Sequence, residues 1–214
     1  MRFTILAAEW NAKLVALAKV MNSKVALPIY STFLLELKDG VLRITASDMD
    51  CSRCSTLPVM DMDRANEHNG SLCVTASFLL DSLKNLGDQP VTFEADEENL
   101  SVVIRYNNGQ FDMVGFPAKD YALPGTMGKS VQVTIEASVL NDSIGKSLYA
   151  VGNDDLRPIF SGIYFTKKGD ELQCATTNGS MLVRNTYKVE NDGQEYSFLL
   201  HSRAAKIVRS MTSK

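Results

Sequence analysis

The sequence predicts an α+β fold assembled from one building block used more than once. Three observations carry this. Leu27-Pro28-Ile29-Tyr30-Ser31 is answered by Arg157-Pro158-Ile159-Phe160-Ser161 at an offset of 130 positions, and the same offset aligns Thr4-Ile5 with Thr134-Ile135, Leu42 with Leu172, and Ala46-Ser47-Asp48 with Thr176-Thr177-Asn178. Each copy opens on a strand-like alternation, passes into a helical stripe and continues as strands joined by short turns. Within the first copy that strand–helix–three-strand order occurs twice, so the domain has two pseudo-symmetric halves. A sustained period signals a duplicated architecture and constrains every later assignment.

Taken in order, Phe3–Leu6 alternates as a strand. Trp10, Leu14, Leu17, Ala18 and Met21 share the spacing of a buried stripe, which predicts a helix over about Glu9–Met21. Pro28 ends any continuation. Phe33–Leu37 and Val41–Ala46 form a hairpin about Lys38-Asp39-Gly40, since Asp-Gly tolerates the left-handed backbone a tight turn requires. Cys51–Val59 is a further strand and Met60–Asn69 a polar excursion. The second half opens at Ser71–Ala76, with Ser77 as the expected N-cap of a helix over Phe78–Leu86 and Gly87 closing it. Strands follow at Val91–Ala95, Leu100–Tyr106 and Gln110–Phe116.

The first domain therefore spans residues 1–120. Pro124, Gly125 and Gly128, in the polar stretch Lys119–Ser130, mark residues 121–130 as a linker. Residues 131–214 replay the unit: a strand at Val131–Ile135, a helix over Ala137–Val151, strands near Gly162–Lys167, Leu172–Thr177, Leu182–Val189 and Glu195–Leu200, and a helix over Ser202–Met211. By the repeat's own logic three more strands belong after that helix. The second domain is expected to be incomplete, with Ser202–Lys214 poorly ordered for want of its sheet.

At 45% hydrophobic and 22% charged residues the composition is that of a folded globular chain. No apolar run approaches the roughly 20 residues of a membrane span, and Met1-Arg2-Phe3-Thr4-Ile5 lacks a signal-peptide core. A cytoplasmic protein without membrane contact is expected. Four cysteines (Cys51, Cys54, Cys73, Cys174) are too few and too scattered for a disulfide framework. Cys51 and Cys54 have zinc-ligand spacing but no second pair follows, and in a strand residues three apart point to opposite faces.

Catalytic chemistry finds little purchase. The only histidines are His68 and His201. No nucleophile elbow, phosphate-cradling glycine loop or zinc-protease helix occurs. Asp48-Met49-Asp50 and Asp61-Met62-Asp63 lack the glycine and distal glutamate of a calcium loop, so they read as solvated turns. A thiol hydrolase built on Cys51 or Cys73 with His68 is the residual enzymatic alternative. No catalytic residue, cofactor or metal is assigned.

The opening strand and helix, Leu27-Pro28-Ile29, Phe116-Pro117-Ala118-Lys119-Asp120-Tyr121, Arg157-Pro158-Ile159-Phe160-Ser161-Gly162 and Ala175-Thr176-Thr177-Asn178-Gly179 together resemble the bacterial DNA polymerase III beta subunit, the sliding clamp family. The likeness runs end to end. It implies a DNA clamp fold with helices on the inner face and sheets outside, and a ring of two three-domain chains joined head to tail as a homodimer around double-stranded DNA. The third domain is absent here, so the chain reads as a truncated piece. The implied function is that of a processivity factor, non-catalytic itself, tethering the replicative polymerase.

A clamp must slide, so its hold on DNA comes from Lys and Arg facing phosphates without base readout. The helical stretches 9–24, 77–88, 137–150 and 202–211 together carry +4 and the remainder −7, giving the chain's −3. That partition suits a positive lumen within a negative rim, and also occurs on ordinary solvated helices. Candidate phosphate contacts are Lys13, Lys24, Lys84, Lys146, Arg203, Lys206 and Arg209; the resemblance itself implies Lys24 and Lys84.

The resemblance also implies a hydrophobic pocket for a short peptide motif of the polymerase, the clamp loader and repair polymerases. It maps onto Phe160, Thr177, Gly179, Ser180, Met181 and Leu182. Many relatives carry an aromatic or His and then Arg where this chain has Ser180-Met181. Phe111 and Met113, on the edge strand Gln110–Phe116, match apolar dimer-interface positions. A peptide-binding adaptor of the same repeat that never touches DNA is the alternative.

Overall fold

In the computed structural model, which describes residues 1–21, 27–60, 69–123, 132–153 and 156–212, strand β1 (Arg2–Leu6) runs straight into helix α1 (Ala7–Ala18). The helix starts two residues before the stripe implied, because Leu6 is still extended while the Ala7 N–H already donates to the Gln89 carbonyl at 2.9 Å. A backbone partner thus satisfies a donor that a capping side chain would otherwise take. A 3₁₀ turn at Pro28–Ser31 leads to β2 (Thr32–Lys38), β3 (Val41–Ser47) and β4 (Ser52–Pro58). The second half runs β5 (Gly70–Thr75), α2 (Ala76–Leu83), β6 (Pro90–Ala95), β7 (Ser101–Tyr106) and β8 (Gly109–Val114). Ser77 lies inside the first turn of α2 and is not its cap; strand and helix again abut, at Thr75.

The two halves trade their first strands. β1 pairs antiparallel with β6, in a sheet ordered β1-β6-β7-β8, and β5 pairs with β2 in the other half's sheet, β4-β3-β2-β5. The expected strand Gln110–Phe116 is split. Gly115 carries the chain across, and β9 (Phe116–Pro117) joins the second sheet beside β5. The crossing is tight: a Cβ at Gly115 would lie 2.6 Å from Leu72 Cδ2 and 2.9 Å from the Cys73 carbonyl oxygen, so only glycine fits.

Both sheets and both helices close on one core. Phe3 stacks on Phe93 at 4.9 Å and meets Trp10 edge-on at 5.4 Å, with Leu14, Leu17, Phe33, Leu35, Leu79 and Ile104 around them. Burial of this apolar area, at roughly 25 cal/mol per Å², dominates the unit's stability.

Contacts divide the chain into two compact units, Met1–Thr126 and Met127–Lys214. Tyr121, expected in the linker, is buried within the first. The second contains α3 (Ala137–Ser147), 3₁₀ turns at Leu148–Ala150 and Pro158–Ser161, β10 (Gly162–Lys168), β11 (Glu171–Thr177), β12 (Leu182–Lys188), β13 (Tyr196–His201) and α4 (Ser202–Thr212). From the proline turn to the end of the fourth strand, every boundary recurs 130 positions on; the offset then falls to 126, because the β12–β13 connection is four residues shorter than β4–β5. The sheet order β12-β11-β10-β13 repeats β4-β3-β2-β5.

One expected element does not form. Residues 132–135 of the expected strand Val131–Ile135 join no ladder, and Val131 is outside the described residues. Their counterpart β1 pairs with β6, and no strand follows α4 among the described residues to play that part. Helix α4, expected to be poorly ordered, spans Ser202–Thr212 and is tied to α3: the Asn141 side-chain amide donates to the Arg209 carbonyl at 3.3 Å and the Thr212 hydroxyl at 3.1 Å.

Candidate nucleic-acid interface and peptide pocket

Helices α1 and α2 pack side by side in the first unit, as α3 and α4 do in the second. The inward residues of α1, Trp10, Leu14 and Leu17, leave Lys13 exposed. Lys84, just past α2, is exposed and lies 2.8 Å from the Asp81 carboxylate. Lys24 is outside the described residues.

In the second unit Lys146 Nζ sits 2.6 Å from Asp142 Oδ2, which accepts a hydrogen bond from the Tyr187 hydroxyl at 2.9 Å. These two bonds, Lys146 first, hold the Asp142 carboxyl below its ordinary range, while desolvation and then the carboxylate push the Tyr187 hydroxyl up. Exposed pairs of this kind contribute little, so a phosphate competes for Lys84 or Lys146 at small cost.

Helix α4 is the most basic element. Arg203, Lys206 and Arg209 recur every third residue, which keeps them along one stripe, and no acidic residue lies in Ser202–Thr212. The Arg209 guanidinium lies flat against α3 where Gly145 has no side chain; a Cβ there would be 3.1 Å from its Nη2.

The tip between β11 and β12 is built by its own side chains. Asn178 Oδ1 accepts from the Ser180 and Met181 N–H groups at 3.0 and 2.9 Å, and Thr177 Oγ1 donates to the Met181 carbonyl at 2.6 Å. Gly179 has φ +91°, a left-handed conformation that favours glycine. This fixed turn leaves Met181 and Leu182 exposed. The proline turn abuts it: the Gly152 N–H donates to the Phe160 carbonyl at 2.8 Å, and a Cβ on Gly152 would meet Phe160 at 3.1 Å and Asn178 at 3.5 Å. Five of the six pocket candidates thus lie on the tip and β12, with Phe160 beside them.

Sequence reasoning missed Arg157, whose guanidinium lies over the Phe160 ring, 4.9 Å from its centroid. It stands immediately before the repeated Pro-Ile, which was the available signal. A cation therefore reaches this site although Ser180-Met181 supplies none.

Phe111 and Met113 are half-buried at the margin of the first core. Phe111 stacks on Tyr106 at 4.9 Å and meets Phe78 edge-on at 6.4 Å, whereas Val114 is exposed. β8 ends its sheet with one edge open among the described residues.

Three of the four thiols, Cys51, Cys73 and Cys174, are shifted away from the activated thiolate. Burial pushes Cys73 up to about 12 and Cys174 up to about 11, and burial with the neighbouring Asp50 raises Cys51. His68 is outside the described residues, and no group of three metal-ligating side chains occurs among those described. No described helix is long and apolar enough to cross a membrane.

A family model described as DNA polymerase III beta subunit, N-terminal domain, matches residues 1–124, more than half of the chain. The chain belongs to this family. It is 22% identical over 216 residues to the beta sliding clamp of Staphylococcus epidermidis, covering 100% of this chain and 57% of that protein. To the beta sliding clamp of Bacillus subtilis it is 25% identical over 193 residues, 89% of this chain and 51% of that one. The DNA polymerase III subunit beta of Pseudomonas aeruginosa superposes with a TM-score of 0.89 at 22% identity, over 100% of this chain and 57% of that chain. Another structure from that organism, a sliding clamp bound to griselimycin, has a TM-score of 0.88 at 20% identity, with 100% and 57% covered. These likenesses show the α+β clamp fold. The chain spans a little over half the length of the relatives it matches.

Proposed function

We propose that this chain forms the first and part of the second domain of a sliding clamp, and that the complete protein is a processivity factor holding the replicative polymerase on duplex DNA. The observation that carries the reading is the strand–helix–three-strand unit, reused at a constant offset in a chain whose first 124 residues match the family. A ring of such units presents its paired helices to the DNA and its sheets to solvent. The clamp itself catalyses nothing and acts in the cytoplasm.

In this reading Lys13, Lys24, Lys84, Lys146, Arg203, Lys206 and Arg209 meet phosphates. Phe160, Thr177, Gly179, Ser180, Met181 and Leu182 take the peptide motifs of the polymerase, the clamp loader and repair polymerases, with Arg157 adding a cation at the rim. The open edge of β8, with Phe111 and Met113 behind it, joins the partner's third domain head to tail.

The test is duplex binding followed by fluorescence anisotropy at several salt concentrations, with unrelated sequences, for the chain and for the Lys206→Ala/Arg209→Ala variant. Binding is expected to be indifferent to sequence, and the slope of log K against log salt to fall by about 1 per lost phosphate contact. Sequence-selective binding, or an unchanged slope, would sink the α4 assignment. A peptide adaptor indifferent to DNA would show no salt-dependent binding at all.

A further inference from the structure

The first helix of each unit ends in the same electrostatic difficulty and resolves it differently. A helix C-terminus carries about half a negative charge, which repels a phosphate. In α3 the last turn contains Lys146, which is exposed and lies 6.0 Å from the ring centroid of Tyr187 on strand β12. The last turn of α1 has no basic residue. The two helices begin 130 positions apart, so the twin of Lys146 is Ala16.

Arg53 supplies the missing cation from the sheet. Its ladder partner Ala46 is buried in the main core, as is Leu57 further along the same face of β4. Arg53 therefore stands on the helix-bearing side of the sheet, on its edge strand. The guanidinium donates to the Ala16 carbonyl at 2.8 Å, which puts the charge over the residue whose twin is Lys146. One N–H of the fork is spent on this bond, and no carboxylate pairs with Arg53 among the described residues. The fold itself does not demand an arginine here. The corresponding place on β12 holds Val183, paired with Thr176 as Arg53 is with Ala46. Each unit thus has a cation at the seam between its first helix and its edge strand, carried by the helix in one and by the strand in the other.

We propose that Arg53 is a phosphate-binding residue of the first unit, taking the part that Lys146 plays in the second. The proposal rests on the clamp reading, in which the paired helices meet DNA. A full positive charge outweighs the partial negative charge of the helix end, and a guanidinium offers a phosphate two parallel donors. Lys19, exposed immediately past α1, adds to the same basic end. Glu9, the one acid on α1, lies about two turns back toward the other end. Arg53 was not among the residues that sequence reasoning selected, because it belongs to a strand and only the fold brings it to the helix.

The test measures duplex binding by the complete chain at several salt concentrations, with the melting temperature of each variant recorded beside it. Arg53→Val, the residue type of the twin position, is expected to lower the slope of log K against log salt by about 1. Arg53→Lys should keep the slope. Adding Ala16→Lys to Arg53→Val should restore it, since the cation then comes from the helix as it does in the second unit. Should Arg53→Val not fold, Arg53→Gln, which keeps an N–H for the Ala16 carbonyl, carries the same comparison. A residue that merely caps α1 would shift the melting temperature and leave the slope alone. An unchanged slope without the Arg53 charge, or no recovery with Ala16→Lys, overturns the proposal while the clamp reading stands. A wild type without salt-dependent binding brings down both.

Discussion

Lys167 occupies the place that Leu37 fills in the first unit, on the inward face of its strand, and its side chain is only 3% exposed. Its ammonium pairs with Asp192, whose carboxyl that bond holds below the ordinary range. A buried ion pair is weakly stabilising at best against an apolar residue of the same size, whereas removing one partner strands the other. Lys167→Leu should therefore leave the melting temperature unchanged or raised, while Asp192→Asn lowers it at neutral pH. Because the folded pKa of Asp192 is depressed, its contribution is complete above the unfolded value of about 4 and is lost as pH falls through the lower folded one. Melting curves of wild type and Asp192→Asn should converge over that acidic range; a constant gap would contradict the pairing. At the tip, Gly179→Ala should cost about 1 kcal/mol in chemical denaturation, since its φ of +91° suits only glycine without strain. Residue chemistry of this kind was partly legible. Asp39-Gly40 announced its turn, with both residues at positive φ. Lys167 sat unnoticed in an alternating strand, because only the three-dimensional register shows which face it takes.

Among elements, the segment from Gly115 to Tyr121 shows where local signals stop. The sequence reads as one strand through Phe116, since hydrophobic alternation does not say which sheet a residue joins. The switch depends on an approach to Leu72 and Cys73 that only coordinates reveal. Gly115→Ala should detach β9 and loosen Tyr121, exposing Cys73 to thiol reagents that leave the wild type unreacted there. Unchanged Cys73 labelling would show the crossing to be adaptable. Ser77 misled for a related reason: capping propensity is local, but strands β1 and β5 run straight into their helices, and the first N–H of α1 is met by a distant carbonyl. The strand expected at residues 131–135 had the right pattern but no ladder partner, and a pattern cannot supply the partner.

Over the whole molecule, the duplication was plain from its motifs and the exchange of first strands was not. The two units also differ in what they bury. The first closes a large core around Trp10, whereas the apolar cluster of the second, among the described residues, is the smaller set Ile144, Ile163, Phe165, Leu172, Cys174 and Ala205. The second unit should therefore unfold at lower denaturant. The chain's single tryptophan, Trp10, reports the first unit alone, while far-ultraviolet circular dichroism reports both. The two probes should give non-coincident transitions, circular dichroism beginning earlier; coincident curves would mean that the units melt as one. The basic stripe of α4 and the tip at Asn178 were both placed by sequence, because spacing along one helix or one hairpin is a local property. The cation at Phe160 was not, because it depends on how the proline turn folds.

The traded first strands bear on how the chain leaves the ribosome. The amino terminus donates to the Ala95 carbonyl at 2.7 Å, and every rung of β1 is made with residues 90–94. β1, which emerges ahead of the rest of its unit, is thus among the last to find a mate, and has to wait, chaperoned or loosely collapsed, until some ninety further codons have been read.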